Sequence, residues 1–188
     1  MPVNGIVFQH QLVIHGACTL AHMKTGSLFR VYKSQIPNLE ECMCYFNDQC
    51  SPFGYHICIL EQNSQSFLVY VYNAHKLSYI LSEPSIIKFL SDYGYEVFDI
   101  EHALIHLQER LCEPTFPHEI GVFLGYPLQD VKAFITPNKE CLLIGYWKVY
   151  GNVKNCRKTF YRFDCCKKTM EQQILKGEPL VNILKKVN

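Results

Sequence analysis

Apolar and polar positions change period along this chain, and the changes mark its elements. Leu28-Phe29-Arg30-Val31-Tyr32 predicts a strand. Asn38 stands where it would cap a helix from Leu39 to about Asp48, with Glu40 and Glu41 in the first turn, where the dipole favours acids. Tyr55–Leu60 and Phe67–Tyr72 are rich in β-branched and aromatic residues. The polar loop Glu61–Ser66 between them predicts a hairpin. From residue 73 the pattern turns helical. Pro84 suits a first helical turn and is followed by Ile86, Ile87, Phe89 and Leu90, ending near Tyr93-Gly94. Asp99 caps a helix whose Ile100, Ala103, Leu104, Leu107 and Leu111 share one face. Phe116 to Ile135 predicts two short helices joined at Gly125-Tyr126-Pro127. After a turn at Pro137-Asn138, Leu142–Tyr150 predicts one strand, with Trp147 and Val149 on one face and Tyr146, Lys148 and Tyr150 on the other. A long helix runs from about Val153 to Leu175, with Val153, Cys156, Phe160, Phe163 and Met170 on its apolar side. Gly177 ends it, and a short helix, Leu180 to Lys186, follows.

These elements predict an α+β fold: a small antiparallel sheet of three to four strands packed with a helix-rich C-terminal half, as one domain over residues 1–188. Strict strand–helix alternation is missing. No G-x-G-x-x-G or G-x-x-x-x-G-K follows a strand, which argues against a nucleotide-binding doubly wound fold.

Composition narrows the class. Hydrophobic residues make up 48% and charged residues 19%, which is globular and not disordered composition. The net charge of +1 points to neither nucleic acid nor membrane. The first basic residue is Lys24, so no charged segment precedes an apolar one as in a secretion signal, and no run approaches the roughly 18 apolar residues of a membrane helix. The expectation is a cytoplasmic protein whose ten cysteines are reduced packing groups. Charge is uneven: residues 83–130 carry nine acids and two bases, while residues 137–170 carry eight bases and two acids. The basic face of the long helix, with Lys154, Arg157, Lys158 and Arg162, is a candidate docking surface for an acidic partner or phosphate.

Several residues are candidates for chemistry. His118 and Glu119 follow Pro117 and are expected exposed at a helix N-terminus, where the dipole favours a carboxylate and a neutral imidazole. They are the catalytic candidates, although Ile120-Gly121-Val122 rules out H-E-x-x-H. Lys24, Tyr126, Trp147 and Lys148 are the ligand-binding candidates. His102 and His106, four apart on one helix, are at most half a metal site, and an exposed polar face is the better account of them. The cysteines form no C-x-x-C. Glu119–Ile135 also has a helix-turn-helix pattern. Its second helix offers only Gln129, Asp130 and Lys132, in the acidic part of the chain, so phosphate repulsion disfavours DNA.

Three of these segments carry a resemblance. Phe116-Pro117-His118-Glu119-Ile120-Gly121, Leu124-Gly125-Tyr126-Pro127 with Asp130-Val131, and Gly145–Gly151 resemble the motifs of a domain-of-unknown-function family frequent in anaerobic Gram-positive bacteria. Ala17–Ala21 is a weaker match, because Gly16 and Cys18 stand where that family has cysteine and proline. The resemblance implies a bacterial cytosolic protein and supplies no activity. The sequence leaves the identity of any cofactor open. Its leading reading is a small-ligand- or metal-binding protein built around His118, Glu119 and Lys24. The alternative is a non-catalytic regulatory protein that docks through its basic helix, and DNA binding ranks third.

Overall fold

The computed structural model describes residues 1–96 and 98–187. The sheet is three-stranded and antiparallel: β1 (Gly26–Tyr32), β2 (Tyr55–Gln62) and β3 (Ser66–Asn73), in the order β1-β3-β2. Every residue of β3 is buried, because the central strand is covered on both faces. The predicted hairpin is β2–β3, and α2 (Leu39–Cys50) carries the chain from one edge strand to the other.

Strand alternation divides the apolar residues into two cores. Phe29, Val31, Ile57, Phe67, Val69 and Val71 face α1 (Gly5–Leu20), α2 and the end of the chain. Leu28, Cys58, Leu60, Tyr70 and Tyr72 face the other way. There they meet α3 (Ala74–Ser82), α4 (Pro84–Ser91), α5 (Ile100–Leu111), α6 (Ile120–Phe123) and α7 (Leu128–Ile135). Asp99 caps α5 as its side chain predicts, accepting the His102 amide at 2.9 Å. The fold is α+β, with the helix-rich C-terminal half predicted from the pattern.

α8 (Val153–Leu175) is the spine that joins these parts. Its first half covers a small ribbon, and its second half adds Met170 and Ile174 to the first core beside α9 (Leu180–Val187). No helix among the described residues is long and apolar enough to cross a membrane.

Two local expectations need correction. Leu142–Tyr150 is not one strand but a tight ribbon of β4 (Leu143–Ile144) and β5 (Lys148–Val149), turning through Gly145–Trp147. The turn breaks the alternation, so Tyr146 and Trp147 both reach the Phe160 ring, at 5.6 and 4.6 Å between centroids. Asn38 does not cap α2 with its side chain. It donates to the Val3 carbonyl and Glu41 and accepts from Asn4, tying the starts of α1 and α2 together. The stretch before Leu28, to which the pattern assigns no element, holds α1, a 16-residue helix.

Candidate functional site

The two short helices and the ribbon close around a cleft of about 350 Å³, with Leu28 of β1 at its base. Gly125 sets the approach of α6 to α7. Its φ of 74° is left-handed, and a Cβ there would lie 2.6 Å from the Thr25 hydroxyl. The turn therefore sits against the loop after α1, and Tyr126 comes to lie beside Lys24. The Lys24 Nζ is 5.2 Å from the Tyr126 ring centre, and Tyr126 stacks on Trp147 at 5.2 Å.

Asp130 holds the far wall. Although buried, its carboxylate accepts Trp147 Nε1–H and the Tyr150 amide, each at 2.8 Å. This fixes both the ribbon and the indole. At the mouth, Phe134 meets the His118 ring edge-on at 4.9 Å and lies under the Lys148 ammonium at 5.2 Å. Ile120, Leu124 and Val131 complete an apolar interior.

The electrostatics are one-sided. Neither Lys24 nor Lys148 has a carboxylate within ion-pair distance among the described residues. Burial depresses the Lys24 pKa to about 8, an effect only partly offset by the nearby Cys18 thiol. Asp130 is the only acid in the lining among the described residues, and both of its oxygens are already engaged.

Of the residues predicted from sequence, His118, Tyr126, Trp147 and Lys148 line this one cleft, and Lys24 stands behind its Tyr126 wall. Glu119 does not join them. The expected exposed pair is split: His118 is exposed, but Glu119 is 1% exposed and takes the Arg110 Nε–H at 2.8 Å. Arg110 also pairs with Glu113, so both acids raise its pKa. A carboxylate used in this way is a structural anchor between α5 and α6. His102 and His106 have separate local partners, Asp99 for the first and the Tyr93 carbonyl with Glu109 for the second. No group of three or more His, Cys, Asp or Glu among the described residues could hold a metal ion.

On α8, Lys154, Arg157, Lys158 and Arg162 are exposed. Sequence reading missed Asp130, Phe116 and Phe134. The spacing of Asp130 and Phe134 on α7, four residues apart, was the available signal.

These features define an α+β protein with an aromatic, cation-flanked cleft of small-molecule size. Residues 12–184 match the family described as Protein of unknown function (DUF3793), and the chain belongs to that family. No curated protein and no solved structure matches it.

Proposed function

We propose that the protein binds a small organic anion with a flat or apolar body in the cleft between α6, α7 and the ribbon. The observation that carries this reading is the combination of an aromatic interior with two flanking lysines that have no acidic partner among the described residues. An apolar body gains by leaving water against Tyr126, Trp147 and Phe134. A carboxylate or phosphate on that body gains charge-assisted hydrogen bonds from Lys148 at the mouth, and Lys24 behind Tyr126 adds a positive field from the other side of the wall. His118, exposed at the rim, supplies a further polar contact. We assign the protein to the cytoplasm, a reducing compartment that suits the exposed thiols of Cys44, Cys112 and Cys165.

Trp147 is the only tryptophan, so its fluorescence reports the cleft directly. The test is titration with 4-phenylbutyrate, octanoate and their matched amines. Saturable change with a carboxylate, and binding of the amine weaker by about tenfold, is expected, since one lost charge-assisted contact is worth about that factor. Lys148→Ala should remove most of the preference. Equal affinity for acid and amine, or no saturable change with any of the four, overturns the reading.

A further inference from the structure

Two cysteines meet where the first helix crosses the longest one. Cys18 lies in the last turn of α1 and is buried, while Cys166 lies in the middle of α8 and is half-buried. The Cys18 thiol reaches the Phe163 carbonyl of α8, with Sγ to O 3.6 Å. In the opposite direction, the Cys166 thiol reaches the Ala17 carbonyl of α1, 3.8 Å away. Each sulfur thus crosses to the backbone of the other helix near its partner cysteine, which brings the two thiols together. The small side chain of Ala17, beside Cys18, suits so close an approach of the two helices.

The surroundings are electropositive. Lys24, on the loop after α1, and Lys167, next to Cys166, both act on Cys18. The Tyr146 phenol also faces the pair, and Asp164 engages it by accepting its hydroxyl hydrogen bond at 2.9 Å. The pair releases its first proton as a unit. When Cys166 ionises, the Cys18 thiol turns from the Phe163 carbonyl to donate to the thiolate, which pulls the Cys166 pKa down, and the same contact pushes Cys18 up. By contrast, burial alone pushes Cys50 and Cys58 up to about 12.

The geometry points to a reversible oxidation site, in which Cys166 and Cys18 form an intramolecular disulfide that ties α1 to α8 when the protein meets a peroxide. The Cys166 thiolate attacks one peroxide oxygen and the O–O bond breaks, giving a sulfenic acid and hydroxide. The Cys18 sulfur then attacks the Cys166 sulfur, and its proton leaves with the hydroxyl as water. In total, two thiols and one hydrogen peroxide give one disulfide and two waters. Cys166 is the attacking sulfur because it is the more accessible and the more acidic, and Cys18 resolves it. A thiol reductant reverses the reaction by exchange. This site does not rest on the ligand reading.

The test uses the full chain with exposed Cys44, Cys112 and Cys165 replaced by serine, reduced and then treated with equimolar hydrogen peroxide. After alkylation and proteolysis, the expected product is a peptide pair joining Cys18 to Cys166 that dithiothreitol separates. Adding Cys18→Ser should abolish the cross-link and leave Cys166 as a sulfenic acid that dimedone traps. Adding Cys166→Ser should abolish the cross-link and leave Cys18 unlabelled. The idea is overturned if Cys166 stays reduced, pairs with another cysteine or joins two chains. Should the serine background fail to fold, wild-type protein with fragmentation between Cys165 and Cys166 in the mass spectrometer gives the same decision.

Discussion

Asp130 holds Trp147 in place: a buried carboxylate on α7 accepts the indole N–H across 17 residues of sequence at 2.8 Å, while its second oxygen accepts the Tyr150 amide. Asp130→Ala strands both donors in a half-buried wall. The expected loss is about 3 kcal/mol, the scale of two donors left unpaired. Asp130→Asn keeps one acceptor oxygen but turns an amide NH₂ towards another donor, so it should recover only part of that loss. Urea unfolding measures both variants. The Trp147 emission should shift to longer wavelength as the indole is released to water, and wild-type emission from Asp130→Ala would contradict the assigned role.

Glu119 and His118 are neighbours in sequence with opposite environments, and substitutions should separate them. Glu119→Gln removes the charge facing Arg110 inside the protein while leaving Glu113 as its surface partner. A destabilisation of about 2 kcal/mol is expected, below the full cost of breaking a buried pair because Arg110 keeps one acid. His118→Ala should be nearly neutral in stability, as exposed substitutions are. If the carboxylate probes bind, His118→Ala should weaken them, whereas Glu119→Gln should leave their affinity unchanged in protein that is still folded. Thermal melts and Trp147 titrations on the same samples make this comparison.

The legible elements were those with one apolar face. In α5 and α8 a stripe at helical spacing meets a core on one side, and in β2 and β3 the aromatic and branched residues stand out against a polar loop. α1 gave no such signal, because apolar residues surround it. Phe8, Leu12 and Val13 are buried, yet Ile6, Val7 and Ile14 are exposed on the same helix. Asn4, at its start, is in a left-handed conformation with no side-chain cap bond. Leu142–Tyr150 misled for a different reason. Its residues favour strands, and only the packing of Gly145 against Phe160 reveals the turn: a Cβ there would lie 2.2 Å from the ring. The cleft was half legible. Aromatic and basic residues near Gly125 and Gly145 could be picked out, but the burial of Glu119 depends on Arg110 arriving from another helix.

Lys24 makes stability depend on pH in a defined direction. Burial lowers its pKa from 10.5 to about 8. Below about pH 8 the amine is charged in both the folded and unfolded chain, and the folded state bears the full cost of burying the charge. Between the two values the folded chain has released the proton and the unfolded chain still holds it. Unfolding then takes up a proton, so this group's contribution to stability rises with pH across that window. Lys24→Met should therefore be more stable than wild type near neutral pH by on the order of 2 kcal/mol. The advantage should fade as pH approaches 10.5. Urea midpoints of the two proteins at several pH values give the difference directly, since other groups that titrate there are common to both. A constant difference across the window would show that Lys24 is not desolvated in the folded protein.

Gly26 and Tyr70 connect the sheet to α6, and their coupling can be measured. Tyr70, in the centre of β3, donates its hydroxyl to the Phe123 carbonyl at 2.6 Å, a buried bond between the sheet and the end of α6. The ring reaches that carbonyl by lying over Gly26 of the neighbouring strand, whose paired residue is Tyr72. A Cβ at Gly26 would fall 2.3 Å from the ring. Tyr70→Phe should cost about 1 kcal/mol, the net worth of a hydrogen bond, or more because the Phe123 carbonyl is left unpaired. Gly26→Ala should cost about 2–3 kcal/mol, because a ring fixed between a strand and a helix has nowhere to move. The two substitutions together should cost nearly their sum, since the phenyl ring left by Tyr70→Phe occupies the same space. Gly26→Ala in a Tyr70→Leu background should cost far less than in wild type, because the obstructing ring is gone. Equal costs in the two backgrounds would place the strain of the added methyl somewhere other than Tyr70.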